Sequence, residues 1–181
     1  MHSLRLLAAL VLLTAAGVAN VSHCACDASK PATLTSRDCS LCVEAEKHPP
    51  EPFVFFIKDA NPHKPNRLLA LPRIHTPGPH ALAALTPEQR TELWTAAIDK
   101  AKQLWGDRWG LAYNGDKVRT QCHAHIHIGR LIPGVETNNF IVVNGPSEIP
   151  LPNGDGFWIH PQDGKLHVHL GEQITETVLL R

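Results

Sequence analysis

Apolar residues recur at helical spacing in the middle of the chain. Between Thr86 and Gly106 they return at every third or fourth position, which is the spacing of one buried helix face. The residues concerned are Leu93, Trp94, Ala97, Ile98, Ala101 and Leu104. Thr86 is a suitable N-cap, Pro87 suits the first helical position and Gln89 stands three residues after the cap. The pattern therefore predicts one long helix that ends at Gly106.

Short apolar runs bounded by Pro, Gly, Asn or Asp predict strands on both sides of this helix. The predicted strands are 53–57, 68–71, 110–113, 122–128, 140–143, 157–160, 165–170 and 175–180. The pairs Asn153-Gly154 and Asp163-Gly164 are typical of tight turns between the later strands. One long helix among several short strands predicts an α+β domain with an antiparallel sheet.

The N-terminal segment has a different pattern. Arg5 is followed by a continuous run of apolar or small residues over 6–18, with no polar face. A positive charge before such a run is typical of a secretory signal, so residues 1–19 are interpreted as a signal peptide and the protein as exported, periplasmic or secreted. An uncleaved N-terminal helix is the alternative. The run is shorter than the roughly 20 residues that span a bilayer, so no stable membrane span is expected.

Composition narrows the function. A chain of 181 residues can bury a core as one ordinary domain. Its 17 basic and 17 acidic side chains give zero formal net charge, which argues against a nucleic-acid partner. Twelve histidines are an excess for this length, so the positions of the histidines carry most of the functional information.

Three histidines alternate on the predicted strand 122–128. His123, His125 and His127 would share one face, while the intervening positions 122, 124, 126 and 128 would face the core. Three imidazoles in a row could bind a transition metal, or one could act as a nucleophile beside partners that hold a phosphate. Solvated histidines on an exposed strand are a third interpretation, which regular alternation with small or apolar residues disfavours.

Four of the five cysteines are close together in the sequence. Cys39 and Cys42 have the C-x-x-C spacing that lets two thiolates reach one metal ion, and Cys24 and Cys26 precede them. Disulfide pairing among the four, with three connectivities, is the alternative that an oxidising compartment favours. Cys122 stands apart and is interpreted as a small buried residue.

The segment from His123 to Gly129 resembles the defining motif of the histidine triad superfamily, His-x-His-x-His-x-x with apolar residues at x. Further likenesses follow in the same order along the chain: the turn Pro72-Arg73-Ile74-His75 after a strand, the long helix, and Asn114-Gly115. The resemblance covers residues 39 to about 131. It implies a histidine-triad-like antiparallel sheet with one long helix over 20–131, and leaves 132–181 as a C-terminal β-hairpin extension packed on the same domain.

The resemblance implies a hydrolase that cleaves a phosphoramidate or phosphoanhydride bond of a small nucleotide substrate through a covalent histidine intermediate. His125 would be the nucleophile, with its other ring nitrogen donating to a backbone carbonyl. His127 would contact phosphate oxygens, and His123 would support the geometry or bind metal. A histidine in the third position resembles the hydrolase branches of the superfamily, whereas the transferase branch has glutamine there. A homodimer is compatible with this interpretation.

Four residues are expected to bind the substrate: Asn114, Arg119, Thr120 and Gln121. Arg119 stands where many members of the superfamily have glutamine, so its guanidinium is expected to hold phosphate directly; a solvated loop charge is the alternative. Arg-Thr-Gln followed by His-Ile-His-Ile also resembles the CDP-diacylglycerol pyrophosphatases. A lipid pyrophosphatase is therefore one alternative function, and a non-catalytic periplasmic metal-binding protein is another.

Bacterial relatives in this superfamily often hold a structural zinc ion with a C-x-x-C pair, the histidine of the turn and the first histidine of the triad. The corresponding residues here are Cys39, Cys42, His75 and His123. Two thiolates and two imidazoles are an ordinary zinc ligand set, so the resemblance implies a structural zinc ion at these four residues. A disulfide at the two cysteines remains the alternative.

The C-terminal segment carries three more histidines beyond the resemblance. His160 precedes the pair His167 and His169, and Glu172 follows. The spacing is only faintly like that of a metal-binding cupin motif. Surface histidines on a terminal hairpin are the favoured interpretation, and a hairpin that lies against the triad and contacts substrate is a second.

Overall fold

The computed structural model describes residues 21, 24–74, 81–151 and 153–181. In this part of the chain the fold is α+β, with one long helix on an antiparallel seven-stranded sheet. The predicted signal peptide and His75 lie outside the described residues. No helix in the described ranges is both long and apolar enough to cross a membrane.

The sheet contains strands from both halves of the chain. The strands are β1 Val54–Lys58, β2 Leu68–Pro72, β3 Trp109–Tyr113, β4 Ile126–Arg130, β5 Phe140–Val143, β6 Gly156–Gln162 and β7 Lys165–Glu172. Their order across the sheet is β1-β2-β4-β3-β6-β7-β5, and all neighbours are antiparallel. Asp163 and Gly164 have positive φ angles and join β6 to β7, as the sequence predicts. The C-terminal segment therefore continues the sheet beyond β3.

The long helix α2, Pro87–Trp105, covers one face of the sheet. It begins with the predicted capping box, in which the Gln89 N–H donates to the Thr86 hydroxyl and the Thr86 N–H donates to the Gln89 side chain. Its buried face packs with sheet residues that include Leu111, Ile126 and Ile159. Burial of this apolar stripe fixes which side chains of each strand face the helix, and the remainder of each strand faces the other way.

The face of the sheet away from α2 is covered by pieces that the sequence did not predict. A short helix, α1 Ser40–Glu46, packs Ala45 near β1 and β2. A 3-10 helix, Glu176–Val178, lies where the sequence predicts a strand over 175–180, and Leu179 makes an isolated bridge to Leu131. Arg67, which is 2% exposed, donates to the carbonyl oxygens of Leu179 and Leu180. This buried guanidinium holds the C-terminal segment as a turn, because its donors take the carbonyls that a strand would use.

Two disulfides organise the N-terminal part of the described chain. Cys24 bonds to Cys122, and Cys26 bonds to Cys39, whereas Cys42 is buried and takes part in neither. The first disulfide draws Cys122 away from the sheet, so β4 begins at Ile126 and not at the predicted residue 122. Such bonds persist in oxidising surroundings and are compatible with an exported protein.

Candidate active site

The three alternating histidines are buried where the chain enters β4. The ring of His125 is 5% exposed, and its Nδ1 lies 2.8 Å from the carbonyl oxygen of His123. A carbonyl oxygen can only accept, so Nδ1 carries the proton and the Nε2 of His125 keeps its lone pair. In the same way, the Nε2 of His123 donates to the carbonyl oxygen of Pro72 at 2.8 Å. The expected contact between the middle histidine and a backbone carbonyl is therefore present.

The orientation of His127 follows from its amide neighbour. The side-chain oxygen of Asn114 accepts from the backbone N–H groups of Thr175 and Glu176 at 2.9 and 3.2 Å. The NH₂ group of Asn114 is therefore the end that lies 3.4 Å from the Nε2 of His127. Because an NH₂ group can only donate, the Nε2 of His127 is unprotonated and its proton is on Nδ1. His127 thus presents a lone pair at Nε2 and an N–H group at Nδ1.

Two carboxylates face the other side of the same ring. The Nδ1 of His127 lies 3.5 Å from Glu176 Oε2 and 3.9 Å from Asp59 Oδ2. Glu176 also accepts from Lys64 and, at 2.8 Å, from Arg67. Negative charge beside a protonated Nδ1 favours this tautomer. These four charged residues around His127 belong to no sequence motif. Asp59, Lys64 and Arg67 come from the turn after β1, and Glu176 comes from the C-terminal segment.

Burial and charge set the protonation of the cluster. Burial lowers the pKa of His125 to about 4, although the hydrogen bond to the His123 carbonyl acts in the opposite direction and raises this pKa. Burial and the adjacent His125 also hold the pKa of His127 well below its usual value. Burial alone would raise the pKa of Glu176, but His127, Lys64 and Arg67 together lower it to about 2. At neutral pH both imidazoles are therefore uncharged and Glu176 is ionised, which suits a nitrogen nucleophile.

These side chains open into a cleft of about 470 Å³ that is lined by His125, His127 and three of the four predicted substrate-binding residues, Asn114, Thr120 and Gln121. Its lining includes three cationic side chains, Arg37, Lys58 and Lys64, and two carboxylates, Asp59 and Glu176. Gln121 also has a structural role: its side-chain oxygen Oε1 accepts from the Ser40 hydroxyl at 2.8 Å and connects the start of α1 to the cleft.

Arg119, the fourth predicted substrate-binding residue, is buried beside the cleft residues and not exposed on a loop. Its side chain is 1% exposed, pairs with Asp116 at 2.9 Å and stands over the Tyr113 ring with 5.2 Å to the centroid. It is not among the residues that line the cleft. The alternative of a solvated loop charge is therefore wrong, because an aromatic face beside a carboxylate provides a buried site for a guanidinium. The Nε and Nη1 of Arg119 are buried without a hydrogen-bond partner among the described residues, and its contact with phosphate stays a prediction.

The zinc site implied for Cys39, Cys42, His75 and His123 does not fit the described residues. Cys39 is bonded to Cys26, so it has no thiolate for a metal, and a Cys39–Cys42 disulfide is not formed either. Two other groups of side chains could hold a metal ion: Cys26, Cys39 and Cys122, and Asp59, His127 and Glu176. The sulfur atoms of the first belong to disulfides, and the Glu176 carboxylate of the second already has two cationic partners, Lys64 and Arg67.

The histidines of the C-terminal hairpin are not at this cleft. His160 and His169 are 2% and 1% exposed, so the expectation of surface histidines is wrong for these two. Neither these two nor His167 lines the triad cleft, which also disagrees with a hairpin that supplies substrate contacts there. The three residues form a separate group on the same face of the sheet.

The chain matches no protein-family model, and no curated protein matches it significantly. The function is therefore proposed from the residues of the cleft.

Proposed function

We propose that this protein is a hydrolase of the histidine triad type, which cleaves a phosphoanhydride or phosphoramidate bond of a small nucleotide substrate outside the cytoplasm. One observation carries the proposal: His125 is buried and neutral, and its Nδ1 is held by the His123 carbonyl, so its Nε2 lone pair is available in a cleft. An uncharged imidazole that is fixed in one tautomer is a suitable nucleophile for phosphorus.

The reaction would proceed in two displacements. In the first, the Nε2 lone pair of His125 forms a bond to phosphorus, while the bond from phosphorus to the leaving oxygen or nitrogen breaks and its electron pair leaves with that group. In the second, water attacks the same phosphorus, and the electron pair of the N–P bond returns to Nε2. The unprotonated Nε2 of His127 suits the second step: it can accept the proton of the attacking water once its long hydrogen bond from the Asn114 NH₂ group, 3.4 Å, gives way to the water.

The cleft fits a phosphate-bearing substrate of modest size. Its volume of about 470 Å³ falls in the range of small-molecule sites. Arg37 and Lys58 supply positive charge for phosphate oxygens, whereas Lys64 is already paired with Glu176. Thr120 adds a hydroxyl donor. Apolar side chains of Leu41, Ile57, Leu69 and Val118 supply a surface for a base or another apolar group. The two disulfides are compatible with action in an oxidising compartment.

The fold supports the same proposal. An antiparallel sheet with one long helix is the arrangement that the resemblance implies, and the triad leads into β4 of this sheet. The β6–β7 hairpin and β5 would then be an extension of a histidine-triad-like sheet at the β3 edge.

The decisive experiment is to trap the covalent intermediate. Purified protein is mixed with phosphorus-labelled substrates: an adenosine phosphoramidate, a nucleoside diphosphate ester, and a CDP-lipid dispersed in detergent. We expect acid-labile label on the protein and turnover of at least one substrate, with both lost in His125→Ala. His63→Ala changes an exposed histidine of the turn after β1 and serves as the matched control.

The panel separates the competing functions. Turnover of the CDP-lipid alone would identify a lipid pyrophosphatase, and turnover of the soluble substrates a nucleotide hydrolase. A folded His125→Ala variant that retains most of the parental rate would show that the triad is not the catalytic centre. Absence of turnover and of label on every substrate would favour a non-catalytic binding protein.

A further inference from the structure

A second pair of histidines lies buried on the C-terminal strands. His160 on β6 and His169 on β7 bring their Nε2 atoms to 3.1 Å from each other, with ring centroids 5.2 Å apart. Both side chains are almost completely buried. Two histidines that approach through the same ring nitrogen share either a proton or a metal ion between those nitrogens.

The outer nitrogens of this pair have oxygen partners. The Nδ1 of His160 lies 3.3 Å from the carbonyl oxygen of Pro161 and 4.0 Å from Glu136 Oε1. These oxygens only accept, so the Nδ1 of His160 carries the proton and its Nε2 keeps a lone pair. The Nδ1 of His169 lies 3.1 Å from the Thr137 hydroxyl, which can either donate or accept. Metal-binding histidines usually have an oxygen acceptor of this kind on the nitrogen that does not bind metal.

We propose that His160 and His169 bind one divalent transition-metal ion through their Nε2 atoms. Two nitrogens that share a tetrahedral ion at about 2.0–2.1 Å are roughly 3.3 Å apart, close to the separation of this pair. Imidazole ligands favour Cu²⁺, Ni²⁺ and Zn²⁺, with Cu²⁺ bound most tightly, and they do not favour Mg²⁺ or Ca²⁺. In the metal-free protein the Nε2 of His169 carries the proton that lies between the two rings. When the metal binds Nε2, this proton moves to the Nδ1 of the same ring, where the Thr137 hydroxyl can accept it. Binding to the two neutral imidazoles therefore releases no net proton.

Further donors stand on the accessible side of the pair. His167 is half-buried and lies opposite His160 in the β6–β7 register, with 5.2 Å between ring centroids. Glu136 is half-exposed beside His160. A rotation of either side chain would supply a third ligand, and water would complete the coordination.

Trp158 lies beside this site, and its fluorescence can report metal binding. The indole of Trp158 stacks on the His169 ring, with centroids 3.6 Å apart and 5° between the planes. Paramagnetic Cu²⁺ bound to His169 would quench Trp158 fluorescence at this distance. We expect saturable quenching at one Cu²⁺ per chain, and no change with Mg²⁺ at the same concentration. Calorimetry in buffers of different ionisation enthalpy should give the same heat of binding, because no net proton is released.

Variants locate the metal. His160→Gln and His169→Gln should each raise the Cu²⁺ concentration at the quenching midpoint at least tenfold. His63→Gln, which changes an exposed histidine, should leave this concentration unchanged. His125→Ala should also leave it unchanged, which separates this site from the triad and makes the result independent of the proposed function. Circular dichroism and the melting temperature report whether each variant folds.

Trp158→Phe keeps the test decisive if a histidine variant fails to fold. This variant should lose most of the Cu²⁺-dependent quenching while it still binds one Cu²⁺ by calorimetry. Quenching that persists in Trp158→Phe, or an unchanged midpoint in folded His169→Gln, would overturn the proposal. So would the absence of saturable Cu²⁺ binding in the unmodified protein.

Discussion

The side-chain oxygen of Asn114 accepts a hydrogen bond from the backbone N–H of Thr175, 61 residues further along the chain. That bond fixes which end of the Asn114 amide faces His127. The next residue, Glu176, places its carboxylate 3.5 Å from the other nitrogen of the same ring. Two consecutive residues of the C-terminal segment therefore set the orientation of His127 from both sides, although the family resemblance does not include this segment.

Asn114→Asp tests the amide. The new carboxylate can still accept from Thr175, but its second oxygen would face the lone pair on the Nε2 of His127. Protonation of the ring relieves this repulsion, so the pKa of His127 should rise. We expect kcat/KM to fall roughly tenfold or more at pH 7.5, because a protonated ring cannot accept a proton from water. NMR titration of the ring measures the pKa. Asn153→Asp, at an exposed position, is the control, and an unchanged pKa would contradict the assigned tautomer.

Glu176→Gln tests the carboxylate. The substitution leaves Lys64 and the buried Arg67 without their shared counter-charge beside His127. We expect a loss of unfolding free energy on the order of 1–3 kcal/mol, seen as a lower melting temperature, together with about a tenfold lower kcat. Glu92→Gln changes an exposed glutamate of α2 and should alter neither quantity. Parental kcat in a folded Glu176→Gln variant would mean that Glu176 only holds the C-terminal turn.

The parts of the fold that the sequence predicts are those with a local cause. The α2 capping box depends on residues a few positions apart and is present. The alternation around His125 is present in part: Ala124, Ile126 and Ile128 pack in the core as predicted, but Cys122 does not, and the strand begins at Ile126. The partners of His127 were not predictable, because Lys64 and Glu176 meet across 112 residues and neither stands in a motif. The burial of Arg119 has the same cause, since its location depends on packing over Tyr113.

The cysteines show a limit of motif spacing. C-x-x-C at Cys39 and Cys42 is compatible with either metal or disulfide chemistry, and four cysteines allow three pairings. In the structure Cys122 forms a disulfide with Cys24, whereas the sequence analysis interprets Cys122 as a separate buried residue. That pairing depends on the approach of segments 98 positions apart, and no local pattern encodes it.

The disulfide pattern predicts the thiol content. Protein purified from an oxidising compartment, unfolded without reductant and treated with an alkylating agent, should carry one label, on Cys42. The paired substitution Cys24→Ser with Cys122→Ser should lower the melting temperature, because this disulfide closes a loop of 98 positions. Loss of such a cross-link lowers the free energy of unfolding by about 4.7 kcal/mol in the simple chain-entropy model. Label on Cys39, together with one bound zinc ion per chain, would instead support the metal site that the resemblance implies.

The lowered pKa of His125 predicts how activity depends on pH. The nucleophile must be neutral, and its pKa is about 4 instead of the usual 6.5. The kcat/KM attributable to this group should therefore stay level as the pH falls through 6.5 and decline only near pH 4. Stability changes at higher pH than activity does. Between pH 6.5 and 4 the His125 imidazole is protonated in the unfolded chain but not in the folded chain. The melting temperature should therefore fall as the pH is lowered from 6.5. A decline in kcat/KM centred near pH 6.5 in folded protein would contradict the burial of His125.

Arg119→Gln tests whether the buried guanidinium acts through charge or through contact with substrate. Burial is the main cause of the low pKa of His125, and Arg119 lowers it further. Loss of this charge should therefore raise the pH at which kcat/KM declines, by less than one unit, while loss of stacking on Tyr113 lowers the melting temperature. Lys117→Gln, at an exposed neighbouring position, should change neither. The Michaelis constants for pyrophosphate and phosphoramidate substrates should respond equally. A selective rise in KM for the pyrophosphate substrate would instead show that Arg119 reaches phosphate when substrate binds.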